Sequence, residues 1–171
     1  MLGAQPVILG SSITNLLSSQ ELLDWCGEVN VVGLVFDKQG PLKAYHEVAG
    51  DRIDRVNLLV ADSDLVHMPE VDGLVISADK LSAIAEAAKL PSLANKPLIA
   101  SLPADHSLAI EAASLPIDSL WFKTGEDRAS YVELIKWWVN YSTLPVIAQS
   151  DNNEQNLAAL IAAKPDIIAL I

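Results

Sequence analysis

Eight short apolar runs, alternating with stretches of helical periodicity, predict a parallel α/β fold closed as a (β/α)8 barrel. Three observations carry this expectation. The runs open on or beside Pro, Asp or Asn and end in polar residues. The stretches between most of them repeat apolar residues at i, i+3 and i+4. Alternation of this kind at a near-constant spacing is the pattern of parallel strands joined by helical crossovers. Eight units favour closure over an open sheet, although 171 residues is short for such a barrel.

The strands begin near Pro6 (PVILG), Asn30 (NVVGLVF), Val56 (VNLLVA), Asp72 (DGLVIS), Pro97 (PLIAS), Asp118 (DSLWFK), Leu144 (LPVIA) and Asp166 (DIIALI). Runs that are apolar on consecutive residues suit strands covered on both faces. Helices are expected over 19–29, 81–90, 107–115, 128–141 and 154–163, as in the spacing of Leu81, Ile84, Ala85 and Ala88. The second connection, 41–55, reads as weak helix at best. The third, 64–71, is too short for a crossover helix. The stretch 144–171 is the clearest unit. An apolar strand is followed by a polar turn in which Asp151, Asn152 and Asn153 are all good helix caps. Leu157, Leu160 and Ile161 then recur at helical spacing, Lys164-Pro165 stops the helix, and 167–171 forms a second strand. Such a unit implies a right-handed crossover. No linker or low-complexity stretch interrupts the pattern, so one domain over 1–171 is expected.

The apolar fraction is 51%, which argues against disorder. No apolar run approaches the length of a membrane span, and the first residues lack the basic region of a secretory leader. Cys26 is the single cysteine, so internal disulfides and cysteine metal clusters are excluded; it reads as a packed helix residue beside Trp25. A cytoplasmic protein is expected. The net charge of −11 disfavours nucleic acid and anionic membranes as partners. It also disfavours anionic substrates unless local cations or a metal offset it.

In a parallel barrel the site forms at the carboxyl ends of the strands. Here those ends carry Ser11-Ser12, Asp37-Lys38, Asp62-Ser63-Asp64, Ser77-Ala78-Asp79-Lys80, Ser101, Lys123-Thr124 and Gln149-Ser150-Asp151-Asn152. Polar atoms therefore collect on one rim, while each residue taken singly also suits a helix cap or a solvated loop. Asp62, Asp64 and Asp79 could supply oxygen ligands to Mg²⁺. His106 is the best acid/base candidate by residue type, with a helix-cap role beside Ser107 as the plainer reading. His46 and His67 lie in surface-like connections.

The passage NLLVADSDLVHMPEVDGLVISADKL resembles the thiamin phosphate synthase and TenI-type thiazole tautomerase family, whose pattern runs Ile-Ile-Asn-Asp-Arg-x-Asp-x-Ala and then Asp-Gly-Val-His-Leu-Gly-Gln-Glu-Asp-Leu. The short third connection is a family trait too. SLPADHSLAIEA is similar to the family's Ser-Thr-His-Ser-x-x-Glu-Ala, with His106-Ser107 in place. The tail is similar to Pro-Val-Val-Ala-Ile-Gly-Gly-Ile-Asn-Pro-Glu-Asn, with Asn153 and Asn156 matching. The resemblance is collinear over nearly the whole chain.

Departures from the pattern decide the functional expectation. Gln-Leu-Arg-Glu-Lys becomes Leu34-Val35-Phe36-Asp37-Lys38, so Phe36 replaces the arginine that helps hold diphosphate and Lys38 survives. Asn-Asp becomes Ala61-Asp62, and Gln-Glu-Asp becomes Ala78-Asp79-Lys80. Gly-Gly becomes Ser150-Asp151, which would set a carboxylate where backbone N–H groups approach phosphate. Two like charges at about 4 Å repel by about 1 kcal/mol in water and by several times that near a low-dielectric surface. The tautomerase histidine has no counterpart in Trp121-Phe122-Lys123-Thr124, where the aromatic pair could instead fill part of the barrel mouth.

The expectation is a divergent member without the parent catalysis, acting through a small-molecule or protein-binding role. The alternative is an active thiamin phosphate synthase or tautomerase, with Lys38, His106 and Lys123 as catalytic candidates. Ligand contacts would then come from Asp37, Ser77, Lys80, Ser101, Ser150, Asp151 and Asn153, and Mg²⁺ would sit on Asp62 and Asp79. A complete barrel of this type carries an eighth helix over its first and last strands. With the sequence ending at Ile171, the outward residues of PVILG and IIALI are expected to be exposed and to drive homo-oligomerisation. The helix around Trp137 is the other candidate contact, with Val132, Ile135 and Val139 facing the sheet and Trp137 and Tyr141 beyond that stripe.

Overall fold

A computed structural model describes residue 2 and residues 4–50, 56–78, 80–150 and 153–171. The strands β1 (Val7–Leu9), β2 (Val31–Phe36), β3 (Asn57–Val60), β4 (Gly73–Ser77), β5 (Leu98–Leu102), β6 (Ser119–Phe122), β7 (Val146–Ser150) and β8 (Ile167–Leu170) form one closed parallel barrel in sequence order. Around it lie α1 (Ser11–Thr14), α2 (Ser19–Glu28), α3 (Gln39–Ala49), α4 (Leu81–Ala87), α5 (His106–Ala112), α6 (Arg128–Tyr141) and α7 (Glu154–Ala163). The fold is the (β/α)8 barrel that the alternating pattern predicts. Among the described residues no helix is long and apolar enough to cross a membrane.

Side chains alternate across each strand, and the alternation separates two cores. Ile8, Val35, Leu59, Val75, Ile99, Trp121, Ile147 and Ala169, one residue from each strand, fill the barrel interior. Their neighbours, including Leu9, Leu34, Phe36, Leu58, Leu74, Leu102, Phe122 and Ile168, face outward and are buried under the helices.

The strand feet follow a rule written in the sequence. Prolines precede β1, β5 and β7. Their carbonyls accept from Ile168, Leu74 and Leu120, each at 3.0 Å, and a position that needs no N–H of its own suits proline. Aspartates precede β4, β6 and β8. Asp72 accepts from the N–H of Leu58 at 2.7 Å, Asp118 from Leu98 at 2.8 Å and Asp166 from Val146 at 2.8 Å. Asparagines serve β2 and β3: the Asn30 side chain donates to Ala4 at 2.8 Å and that of Asn57 to Val32 at 2.9 Å. The last residue needed at the β4 foot is small. A Cβ on Gly73 would meet the Pro97 carbonyl oxygen at 2.8 Å.

Helix ends also obey local chemistry. Ser18 and Glu21 form a capping box at α2, with the Glu21 carboxylate accepting from the Ser18 N–H at 2.7 Å. Asp105, Asp127 and Asn153 cap α5, α6 and α7. Lys164 adopts a left-handed conformation, φ 57°, and with Pro165 ends α7. The third connection is a single 3₁₀ turn, Ser63–Leu65.

Three expectations are corrected. The second connection is an eleven-residue helix, α3, rather than weak helix. Leu42, Tyr45 and Ala49 form its buried stripe, and Pro41 sits in the first turn, where an N–H has no helical partner to lose. In α6 the buried residues are Tyr131, Leu134, Ile135 and Trp138. Val139 is exposed, because the stripe follows the large aromatics rather than the valines. The outward residues of the first and last strands, Val7, Leu9, Ile168 and Leu170, are buried within the chain. Leu2, Ile13 and Leu17 pack on the outer core, and a Cβ on Gly10 would lie 2.9 Å from the Ile171 side chain, so the β1–β8 seam is tight.

Replacing Asp118 by Ala should destabilise the chain by about 1–3 kcal/mol, the cost of a buried donor left unpaired. Asp118→Asn, which retains an acceptor, should lose less, and Asp24→Ala on exposed α2 should change little. Urea denaturation of the three variants distinguishes these outcomes; equal loss for Asp118→Ala and Asp24→Ala would refute the role given to the strand feet.

Candidate functional site

Strand alternation determines which rim residues face the mouth. Two residues beyond the interior positions stand Gly10, Asp37, Ala61, Ser77, Ser101, Lys123, Gln149 and Ile171. The mouth therefore carries one carboxylate, one lysine, two serines and one amide. Asp37 is held by Asn15, whose side-chain amide donates to it at 2.9 Å. Beneath them Trp121, 5% exposed, occupies the barrel axis. Its indole N–H donates to the Gln149 side-chain oxygen at 3.0 Å, and the Gln149 amide nitrogen donates to Thr124 at 3.3 Å. Trp121 thus fills the mouth as its place in the sequence suggests. Phe122, one residue on, faces the helices and packs edge-on against Trp138 at 5.9 Å, so it takes no part in the mouth.

The same period moves other candidates off the axis. Phe36 points outward against Tyr45, ring centroids 6.0 Å apart, while Val35 and Asp37 face inward. Lys38 is exposed at the start of α3, and Lys80 is exposed at the start of α4. Asn153 caps α7, accepting from Gln155 at 3.0 Å and Asn156 at 3.4 Å. His106 opens α5, exposed, with its ring 4.5 Å from that of Trp137. Lys38 and His106 therefore stand three strands apart, and the structure does not bring Lys38, His106 and Lys123 to one centre. Asp79 and Asp151 lie outside the described residues.

Asp62 is exposed and caps the 3₁₀ turn, accepting from the Asp64 N–H at 2.9 Å. Among the described residues no three His, Cys, Asp or Glu side chains gather as a metal site. Asp79, the other carboxylate expected to hold Mg²⁺, lies outside those residues.

A cavity lies beside the axis, between the ends of β6 and β7 and the first turns of α6 and α7. Its volume is about 260 Å³. Tyr131, Ser150 and Leu160 are its buried walls, Val132, Gln149 and Asn156 are half-buried, and Glu126 and Arg128 stand on its exposed rim. Ser150 is fully buried and faces this cavity rather than the mouth. Tyr131 braces the floor. Its hydroxyl lies 2.9 Å from the Phe122 carbonyl and 3.0 Å from the Gln149 carbonyl, donating to either. Burial pushes its phenol well above the usual value, so it remains a neutral donor at any physiological pH. A second cavity of about 210 Å³, lined by His106, Glu126, Asp127, Ser130 and Tyr131 among others, lies between α5 and α6. Tyr131, Glu126 and Arg128 were not singled out by the sequence. The signal for Tyr131 was its place four residues after the cap Asp127, on the inner face of α6.

No protein-family model matches the chain, and no curated protein matches it in sequence. Solved structures do. A thiamine phosphate pyrophosphorylase from Pyrococcus furiosus superposes with a TM-score of 0.75 at 14% identity, over 98% of this chain and 85% of that one. An HpcH/HpaI aldolase from Desulfitobacterium hafniense gives 0.66 at 9% identity, over 98% and 85%. The carboxyl transferase domain of Rhizobium etli pyruvate carboxylase gives 0.68 at 12% identity, over 97% of this chain and 40% of that one. At these identities the likeness is one of fold.

Removing the indole in Trp121→Ala should cost about 3–5 kcal/mol and leave an apolar cavity on the axis. Added indole should then raise the variant's melting temperature and leave the parent chain unmoved; a variant as stable as the parent would refute the axial packing. A pH dependence follows from Asp127. Its bonds from the Ser130 hydroxyl and the Ser130 and Ala129 N–H groups hold its carboxyl below the ordinary value. A depressed carboxyl stabilises the fold above its unfolded pKa, and that contribution is lost as pH falls through the folded value. Stability curves of the parent and Asp127→Ala should therefore converge below about pH 4. A constant gap down to pH 2 would contradict this.

Proposed function

We propose that the chain is a divergent barrel of the thiamin phosphate synthase and TenI type that has left the parent chemistry and binds a small polar molecule in the cleft beside β6 and β7. The observation that carries this reading is the indole of Trp121 on the barrel axis, tied to Gln149 at 3.0 Å. Substrates of such barrels meet their catalytic groups over the axis, at the carboxyl ends of the strands. Here that space has an aromatic floor, and the cleft with both apolar walls and polar groups lies to one side.

The cation supply agrees. Recognition of a diphosphate draws on several cations or a metal. Of the three candidate lysines only Lys123 faces the mouth, while Lys38 and Lys80 stand in exposed helix starts. The cleft offers a different chemistry. Val132 and Leu160 give it apolar wall, Tyr131 and Ser150 bring hydroxyls, Gln149 and Asn156 bring amides, and the rim holds one charge of each sign. Its 260 Å³ suits a compact ligand with few polar groups.

Isothermal titration with thiazole phosphate, with the pyrimidine diphosphate and with Mg²⁺ should show no micromolar binding, and saturating substrates should give no thiamin phosphate. Micromolar binding of either phosphate would overturn the loss of the parent chemistry. A small-fragment screen by NMR should shift the amides of Tyr131, Gln149 and Asn156 first; hits confined to Asp37, Ser77 and Ser101 would place the ligand over the axis instead.

A further inference from the structure

The outer face of α6 carries an aromatic ladder that neither core uses in full. His106 lies 4.5 Å from Trp137, and Trp137 is stacked on Tyr141 at 4.9 Å with an interplanar angle of 13°. Trp138 anchors the ladder from the buried side at 5.7 Å. Tyr141 is 60% exposed, so its outer ring face ends the ladder in solvent. The ladder lies on an open, shallow face of α6 formed by Glu133, Lys136, Trp137, Asn140 and Tyr141. At the His106 end, the aromatic row meets the 210 Å³ cavity holding Glu126 and Asp127.

The charges on this face differ in their pairing. Lys136 is neutralised by Glu133 at 2.8 Å. The cavity at the other end has no lysine or arginine among its lining residues; it holds the Glu126 carboxylate and that of Asp127, which also caps α6. Aromatic faces attract cations through their quadrupole, and a planar guanidinium both stacks on a ring and bridges carboxylates, which an ammonium does less well. The whole chain, at −11, favours approach of a basic partner and opposes a second copy of itself.

We propose that this face docks an extended, arginine-bearing segment of a basic partner protein. One guanidinium stacks on the open face of Tyr141, and a second enters the cavity between Glu126 and Asp127. From Ser130 to Tyr141 the helix rises about 16 Å, which about five residues of extended chain cover. The two arginines are therefore spaced four to six residues apart. The proposal concerns the α5–α6 side of the barrel and stands apart from the ligand cleft between α6 and α7, although Glu126 lines both cavities.

A fluorescein-labelled six-residue peptide with arginine at each end and Gly/Ser between tests this by anisotropy, beside a lysine twin and an uncharged one. The arginine peptide should bind, more weakly as salt rises, and the lysine twin should bind several-fold less. Tyr141→Ala and Glu126→Gln should each weaken binding by about five- to tenfold, while Tyr141→Phe, which keeps the ring, should bind as the parent does. Equal affinity for the two charged peptides, or no loss in Tyr141→Ala, would reduce the effect to general acidity and overturn the proposal. So would a dimer in light scattering that Tyr141→Ala dissociates, since a second copy would then own the face.

Discussion

Eight parallel strands can close on themselves only if every strand foot is set at a height that its two neighbours share, and here that height is set by hydrogen bonds from residues just outside the strands. Prolines offer carbonyls to the neighbouring strand where no N–H is needed, and aspartates accept from the first N–H groups of β5 and β7 and from the second of β3. A free N–H at this depth would cost as much as a lost bond. Once the feet are registered, the period of two along each strand assigns every later side chain to the interior or to the helix layer. Both cores, the mouth and the cleft follow from that assignment.

The mouth shows how closely function is bound to this register. Trp121 belongs to the interior set, so its indole stands on the axis, and the next interior position of β7, Gln149, is within reach of its N–H. One residue along, Phe122 and Ser150 fall on the other side. Phe122 becomes core between sheet and α6, and Ser150 becomes part of the cleft beside α6 and α7. The ends of β6 and β7 and the helices that begin there therefore enclose the cleft to one side of the axis.

The pattern of apolar runs was enough to read eight strands, their order and the helices that connect most of them, because buried parallel strands leave an unbroken apolar signature. α3 was hidden by Gly40-Pro41 at its start, residues that read as a turn but lie in a first turn that tolerates them. The stripe of α6 was misassigned for a related cause: Val139 has the right polarity, but Trp138 has the volume to fill the gap beside Phe122. The seam between β1 and β8 was expected to be open. Leu2, Ile13 and Leu17, which sit in segments without helical periodicity of any length, pack on the core and carry no sequence signal of doing so.

By itself the sequence determined the barrel, the absence of internal disulfides and the rim that holds the polar groups, since each depends on composition and on periods of two and 3.6 residues. Only the tertiary structure decided which rim residues share a space. A change of one position in a strand turns a side chain from mouth to helix layer, and motif comparison does not resolve a step that small. Phe36, aligned with a phosphate-binding arginine, proved to be a core residue. His106, aligned with a family histidine, stands against Trp137 outside the mouth. Convergence of side chains is a property of closure and register, and these are set by strand feet that bond to neighbouring strands 14 to 20 residues away along the chain.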